Sequence, residues 1–333
     1  MNDMVVAQRR RLGQSGPEVS AIGLGCMSLS GVYGTSDDQA GIALIHRAID
    51  LGVDHFDSSD MYGWGQNEEL LGRALKGRRD GIVIASKFGQ TQRPGGANGV
   101  DGSPAYIAQA CEASLKRLGV ETIDLYYQHR VDPAVPVEET VGAMAKLVEQ
   151  GKVRFLGLCE ARPERIRRAH AVHPIAAVQS EFSLLYREEA TETRKLTSDL
   201  GISFFAYAPL GRSLLAGVIP DLAHLDTGDT RGRHPRFMGE NFAKNRALVE
   251  HIETIAKEKG CTPAQLCLAW LLAQGPDVIP IPGTKQVGRL EENLGATRVR
   301  LSPAEIDRIS AAIPIGAAAG TRYPEGGMRG VYI

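Results

Sequence analysis

Cysteine is scarce and unpatterned in this chain: Cys26, Cys111, Cys159, Cys261 and Cys267 are scattered, with no CxxC pair among them. An odd, dispersed set argues against a disulfide framework and points to reduced thiols in a cytoplasmic protein. Net charge is missing too, since 38 Lys and Arg face 39 Asp and Glu. Such a balance gives no overall field to attract nucleic acid or an anionic membrane. The one basic run, Arg9-Arg10-Arg11, reads as a solvated edge. No apolar run reaches the roughly 20 residues that a bilayer-spanning helix needs, and residues 1–9 lack the charged-then-apolar order of a secretion signal. No GxGxxG follows the first strand-like run, so the fingerprint of an open dinucleotide-binding sheet is absent. No HxH pair ends a strand, and no metal site is expected.

What the chain does have is a repeated phrase: a helical stretch, a glycine, then an apolar or β-branched run. It occurs at Leu51-Gly52-Val53, Leu118-Gly119-Val120, Gln150-Gly151-Lys152-Val153 and Leu200-Gly201-Ile202. Glycine adopts the left-handed conformation past a helix end at little cost and releases the chain into the next strand. Strands are expected over residues 21–25, 55–57, 82–87, 122–129, 153–159, 177–180, 202–207 and 278–281. Paired helices are expected over 37–51, 67–75, 103–118, 137–150, 163–170, 188–200 and 286–294. A hairpin over 10–19 precedes them, and loops cover 90–102 and 210–240. Additional helices fall over 242–259, 263–273 and 303–313, and the tail past Gly316 shows no periodicity. Eight alternations predict a single-domain α/β fold over residues 1–333. It is a (β/α)8 TIM barrel with an N-terminal hairpin and extra C-terminal helices. An open doubly wound sheet is the alternative.

Three successive strands end on ionisable groups. Asp57 ends one and Tyr62-Gly63 follows it; Lys87 ends the next; His129 ends the third. Neighbouring strands lie about 5 Å apart, so Asp57, Tyr62, Lys87 and His129 can converge at the barrel face where function gathers. A tyrosine ionises near pH 10, and a lysine beside it favours the phenolate and eases proton donation. Asp57 supplies the counter-ion that Lys87 needs. His129 can donate a second hydrogen bond to a carbonyl oxygen, or pass a proton to Tyr62. The set suits carbonyl reduction. Taken singly, each residue has a plainer role: a turn former, a packed loop tyrosine, a solvated lysine, a structural histidine.

The DxxxxYG spacing at 57–63, the strand-end Lys87 and the strand-end His129 resemble the tetrad of the aldo-keto reductases. The resemblance extends through Val178-Gln179, Ala206-Tyr207-Ala208-Pro209-Leu210-Gly211, Ile281-Pro282-Gly283-Thr284-Lys285 and Arg289-Leu290-Glu291-Glu292-Asn293-Leu294. Leu158-Cys159-Glu160-Ala161, residues 165–174 and residues 237–245 resemble the pyridoxal and perakine reductase subgroup. The resemblance implies an NADPH-dependent, reversible reductase of aldehydes and ketones, with Tyr62 as general acid, Lys87 lowering its pKa, Asp57 pairing with Lys87, and His129 orienting the carbonyl. It implies Tyr207 stacked on the nicotinamide, with Gln179, Cys159 and Glu160 near the carboxamide. Leu210, Gly211 and Arg212 approach the pyrophosphate. Gly283, Thr284, Lys285 and Arg289 surround the 2′-phosphate, and Glu292 and Asn293 the adenine. Many members have Ser-Asn at Cys159-Glu160, and some have a lysine at Gly283, which shifts phosphate binding to Lys285 and Arg289. Met27, Tyr33, Trp64 and Tyr323 are candidates for the substrate pocket, and the basic loop 231–236 for a cover over the cofactor. A monomer or small homo-oligomer is expected. Two rivals are a cofactor-sensing subunit without turnover and a metal-dependent barrel hydrolase.

Overall fold

A computed structural model describes residues 8–92, 98–217, 222, 225, 226, 228–328 and 330–333. The expected hairpin is present: β1 (Arg9–Arg11) pairs antiparallel with β2 (Glu18–Ser20). Leu12 and Val19 are fully buried in the same apolar cluster as Val83, Leu125, Phe205 and Ile279. Gly13 N–H donates to Ser203 Oγ at 2.8 Å, so the hairpin plugs the end of the barrel where strands begin. Arg10 corrects the reading of 9–11 as a solvated edge. Its side chain is buried and donates to the carbonyls of Leu272 (2.6 Å), Gly275 and Val278; only Arg9 and Arg11 stay exposed. Burial lowers the Arg10 pKa to about 10, against the pull of Asp277.

β3 (Leu24–Gly25) leads through α1 (Asp38–Asp50) to β4 (His55–Asp57), then through α2 (Gln66–Leu75) to β5 (Val83–Phe88). A small antiparallel pair, β6 (Gln90–Gln92) and β7 (Asn98–Val100), stands where the sequence indicated only a loop. Residues 93–97 of that loop lie outside the described residues, as do 1–7 of the N-terminal stretch. The alternation continues with α3 (Pro104–Leu118), β8 (Ile123–Gln128), α4 (Val137–Glu149) and β9 (Val153–Cys159). Next come α5 (Pro163–Val172), β10 (Ile175–Glu181), α6 (Glu188–Asp199) and β11 (Ser203–Tyr207). Two helices, α7 (Gly239–Lys259) and α8 (Pro263–Leu272), precede β12 (Val278–Pro280) and α9 (Val287–Gly295). α10 (Pro303–Ala312) and the short α11 (Glu325–Met328) follow. The expected loop 210–240 carries 3-10 turns at Gly211–Ala216, Thr230–Arg233 and Pro235–Phe237; 218–221, 223, 224 and 227 lie outside the described residues.

The eight strands pair in parallel in the order β3-β4-β5-β8-β9-β10-β11-β12. Gly23 N–H to Pro280 O (3.0 Å) and Gly25 N–H to Pro282 O (3.3 Å) join the last strand to the first. The fold is a (β/α)8 barrel. Side chains alternate across each strand, so Val83, Ala85 and Lys87 face the axis while Ile84 and Phe88 meet the helices. The same parity turns Leu125 and Tyr127, Ala177 and Gln179, and Phe205 and Tyr207 inward. Apolar layers therefore fill the barrel up to its C-terminal mouth, where the inward positions become polar.

Large interior rings need small neighbours. A Cβ on Gly157 would lie 2.3 Å from the Tyr127 ring, whereas one on Gly142, inside α4, would meet nothing within 4 Å. Gly157→Ala is expected to destabilise the protein by about 1–3 kcal/mol through overpacking. Gly142→Ala is expected to stabilise it by about 0.5–1 kcal/mol through helix propensity. Urea denaturation of both variants checks this; effects of the same sign would contradict the packing described.

Candidate active site

At the barrel mouth Lys87 is completely buried and Asp57 nearly so. An ammonium in such a place needs partners. Lys87 Nζ donates to Asp57 Oδ1 in a short contact, to Ser58 O at 2.8 Å and to Tyr62 Oη at 3.4 Å. Burial opposes the ammonium, but Asp57, followed by Tyr62, outweighs it and holds Lys87 above its ordinary value. Asp57 Oδ2 accepts from Gln179 Nε2 at 2.8 Å, so β10 is tied across the mouth to β4. Tyr62 sits in a 3-10 turn, Tyr62–Gly65, where Gly63 and Trp64 both take left-handed backbone. Burial pushes the Tyr62 phenol above its ordinary value; Lys87 opposes this through its charge and hydrogen bond. Lys87 thus acts on Tyr62 in the expected sense, but desolvation exceeds the pull of the lysine.

His129 follows β8, its ring 5.8 Å from that of Tyr62 and nearly perpendicular to it. Nδ1 lies 3.0 Å from Ser59 Oγ. Burial, Arg130 and Lys87 all press its pKa well below the ordinary value, so the imidazole is neutral. Cys159 is buried at the end of β9, and burial raises its thiol to about 12, against Lys87 and Arg130. The four residues expected to converge do so, with Gln179 and Cys159 beside them.

Around this centre runs a second, buried set of charges. Glu160, in left-handed backbone (φ 52°), receives both Arg322 terminal nitrogens at 2.9 Å and Glu181 N–H at 3.0 Å. Its carboxylate is therefore engaged with Arg322, a partner the sequence did not reveal. Glu181, fully buried, pairs with Arg212 (3.2 Å) and Arg236 (3.0 Å). Arg212, expected near a pyrophosphate, thus holds its side chain on Glu181. Arg322 also reaches Glu189 at 3.0 Å. Tyr323 Oη lies 3.0 Å from Tyr207 Oη, and the Arg212 guanidinium lies 4.9 Å from the Tyr323 ring. Strand β10, the loop after β11, the basic turn at 235–237 and the C-terminal tail are joined by this network.

The remaining predicted residues gather beside the mouth. Gly211, Arg212 and Ser213 form a run of left-handed backbone after Leu210. Lys285 Nζ donates to the carbonyls of Tyr33 (2.8 Å) and Thr35 (2.9 Å). Thr284 Oγ1 accepts from Gln286 N–H at 3.1 Å. Arg289 pairs with Glu292 at 2.6 Å, Asn293 is buried, and Gly283 packs against Gly25. α9 starts without a side-chain cap. Met27 is half-buried and Trp64 is 45% exposed. The Arg231 guanidinium lies 5.3 Å from the Tyr33 ring and pairs with Asp229.

A profile of the Aldo/keto reductase family matches residues 21–314. The chain belongs to that family of oxidoreductases. It is 49% identical over 318 residues to probable aldo-keto reductase 1 of Glycine max, a match spanning 95% of this chain and 92% of that protein. The glycerol dehydrogenase AKR11B4 from Gluconobacter oxydans superposes with a TM-score of 0.83 at 29% identity, over 92% of this chain and 97% of that one. An aldo-keto reductase from Klebsiella pneumoniae in complex with NADPH gives 0.74 at 26% identity, over 96% and 99%. Among the described residues no helix is long and apolar enough to cross a membrane, and no cluster of three or more His, Cys, Asp or Glu is placed to hold a metal ion.

Sequence reasoning missed Ser59, Glu181 and Arg322, and placed Arg236 in a covering loop where the structure pairs it with Glu181. Strand parity was available for Glu181, the inward position after Gln179; Arg322 lies in a tail with no periodic signal.

Glu181 yields a pH-dependent test. Burial raises its pKa, but Arg212 and Arg236 outweigh burial and place it below the ordinary 4.5. A depressed folded value means stabilisation that is present above about 4.5 and lost as pH falls through the folded value. Glu181→Gln is expected to lower stability at pH 7 by about 3–5 kcal/mol, because the buried Arg212 and Arg236 lose their counter-charge. Its unfolding midpoint should also fall less steeply than that of the native protein in acid. Denaturant titrations from pH 7 to about 3 measure both.

Proposed function

We propose that this chain reduces aldehyde and ketone carbonyls with NADPH, and oxidises the corresponding alcohols in reverse, with Tyr62 as the proton donor. The observation that carries this reading is the convergence of the Tyr62 phenol, the buried Lys87 ammonium paired with Asp57, and the His129 imidazole at one strand-end layer. NADPH, the family's cofactor, supplies the hydride when bound.

The residues present fit that cofactor. The left-handed run at Gly211, Arg212 and Ser213 makes the kind of concave backbone turn that receives phosphate oxygens. The uncapped start of α9 leaves orphan amides for an anion. Among the described residues Lys285 is hydrogen-bonded to neutral carbonyls, which leaves its charge for a ligand, and Arg289 offers a planar fork once Glu292 yields it. Gln179 uses its amide nitrogen on Asp57 and keeps its oxygen for a carboxamide. Tyr207, steadied by Tyr323, presents an inward ring at the mouth for stacking.

Tyr62 holds its proton at neutral pH because its site is desolvated, and Lys87 stabilises the phenolate that forms when the proton leaves. Asp57, pinned by Lys87 and Gln179, keeps the ammonium aimed at the phenol oxygen. His129, neutral and 6% exposed, stands with its ring nearly perpendicular to that of Tyr62 and orients the carbonyl. Met27, Tyr33, Trp64 and Tyr323 frame the substrate side, with Trp64 the most exposed. The reading includes a single domain, a cytoplasmic monomer or small homo-oligomer, and kinship with the pyridoxal and perakine reductases.

NADPH consumption against aromatic aldehydes, ketones and dicarbonyls tests this. Tyr62→Phe is expected to remove at least about 99% of turnover, the range for a lost general acid, while NADPH affinity changes less than about twofold. Turnover retained in Tyr62→Phe would refute the assignment; binding without turnover in the native protein would favour a sensor. Arg289→Ala is expected to weaken NADPH by about tenfold to a hundredfold and NADH hardly at all. Equal weakening of both would remove the 2′-phosphate role.

A further inference from the structure

Ser59 lies two residues past Asp57, and the reaction as described makes no use of it. Its side chain is fully buried. Its hydroxyl stands 3.0 Å from His129 Nδ1 and 3.3 Å from Asp60 Oδ1, and accepts from Met61 N–H at 3.3 Å. A hydroxyl has one proton and two lone pairs. With one lone pair given to Met61, one donation and one acceptance remain to divide between His129 and Asp60. Only two arrangements satisfy all the groups. In the first, Ser59 donates to an Asp60 carboxylate and accepts from His129 Nδ1–H. In the second, a protonated Asp60 donates to Ser59, which donates to a bare Nδ1. A neutral imidazole carries one N–H, so the first leaves Nε2 bare and the second leaves Nε2–H. Nε2 has no protein partner among the described residues.

We propose that Asp60 and Ser59 are positioning residues that set the tautomer of His129, and with it the direction in which the site works best. The proposal rests on the carbonyl-reducing reading for its catalytic consequence. Nε2–H donates to a carbonyl oxygen and favours reduction; bare Nε2 accepts from an alcohol hydroxyl and favours oxidation. Passage from the second state to the first releases one proton from Nε2. The Asp60 proton returns to Ser59 oxygen as the Ser59 proton moves to Nδ1. Passage in the other sense takes up one proton at Nε2 and relays one from Nδ1 through Ser59 to Asp60.

Asp60 is suited to end such a relay. Burial and the nearby Glu68 of α2 raise its carboxyl to about 7, opposed by Arg117 of α3. Tyr106 of α3 and Tyr126 of β8 also face it, and burial keeps both phenols protonated in this range. Lys87 and Arg130 face His129 and keep its ring neutral on either side of the transition. The sign follows: below about pH 7 Asp60 carries its proton and Nε2–H prevails; above it, Nδ1–H prevails. Tyr62, whose pKa is raised, stays protonated throughout.

Nitrogen NMR of the full chain with labelled histidine tests this, with His129 assigned by comparison with His129→Gln. The native protein is expected to move its His129 proton from Nε2 to Nδ1 between about pH 5.5 and 9. Asp60→Asn, which removes the titrating group, is expected to hold one His129 tautomer at every pH, and Ser59→Ala to lose the transition. A single tautomer across the range in the native protein, or an unaltered transition in either variant, would overturn the relay. In kinetics, native reduction kcat is expected to fall about tenfold per pH unit above the transition and to stay flat in Asp60→Asn. A native decline retained in that variant would contradict the role. The NMR measurement needs no turnover, so failure of the relay is distinguishable from failure of the reductase reading.

Discussion

A lysine ammonium buried to zero exposure inside a barrel mouth governs the architecture of this protein. Left unpaired, such a charge costs several kcal/mol. Its partners must therefore come from fixed positions: the carboxylate of Asp57 on the neighbouring strand, the carbonyl of Ser58 just beyond it, and the phenol of Tyr62. The pairing of β4 with β5 sets Asp57 opposite Ala85, one inward step below Lys87. Gln179 then holds the second oxygen of Asp57 from across the mouth. Three strands are thus coupled through one ion pair, and the phenol and imidazole take their protonation states from the desolvated space it organises.

The rim shows how the protein accommodates further charge at the same depth. Glu160, Glu181 and Glu189 meet Arg212, Arg236 and Arg322, so the second layer is balanced. Four non-glycine residues there, Glu160, Ala208, Arg212 and Ser213, hold left-handed backbone. Each carries roughly 1–2 kcal/mol of local strain, and the ion network over-determines the loop that bears it. Because Arg322 comes from the C-terminal tail, the end of the chain is part of the mouth's construction and helps place Tyr323 on Tyr207.

The barrel was legible because its signals are local and repeated. Glycines after helices, β-branched runs and N-caps such as Ser103 recur every few tens of residues, and each states its own boundary. Asp57, Lys87 and His129 were legible because strand-end position and pairing distance constrain them together. The contacts that escaped depend on folding at long range. Nothing in Arg9-Arg10-Arg11 tells that the middle arginine caps carbonyls some 260 residues away in a plug. Nothing in an aperiodic tail announces that Arg322 neutralises Glu160. The burial of Tyr62 escaped too: the lysine that favours its phenolate is visible in sequence, and the desolvation that opposes it is not. Ser59 shows a subtler limit: its identity was plain, but its value lies in dividing one proton between two partners.

We propose that this mouth transfers hydride from a nicotinamide to a carbonyl carbon. The direct measurement is single-turnover reaction of the protein with NADPH deuterated at the transferable position and an aromatic aldehyde, followed by mass analysis of the alcohol. One deuterium on the carbinol carbon is the expected result. Alcohol formed without deuterium, or aldehyde left unreduced across aromatic and dicarbonyl substrates while NADPH is bound, would contradict it.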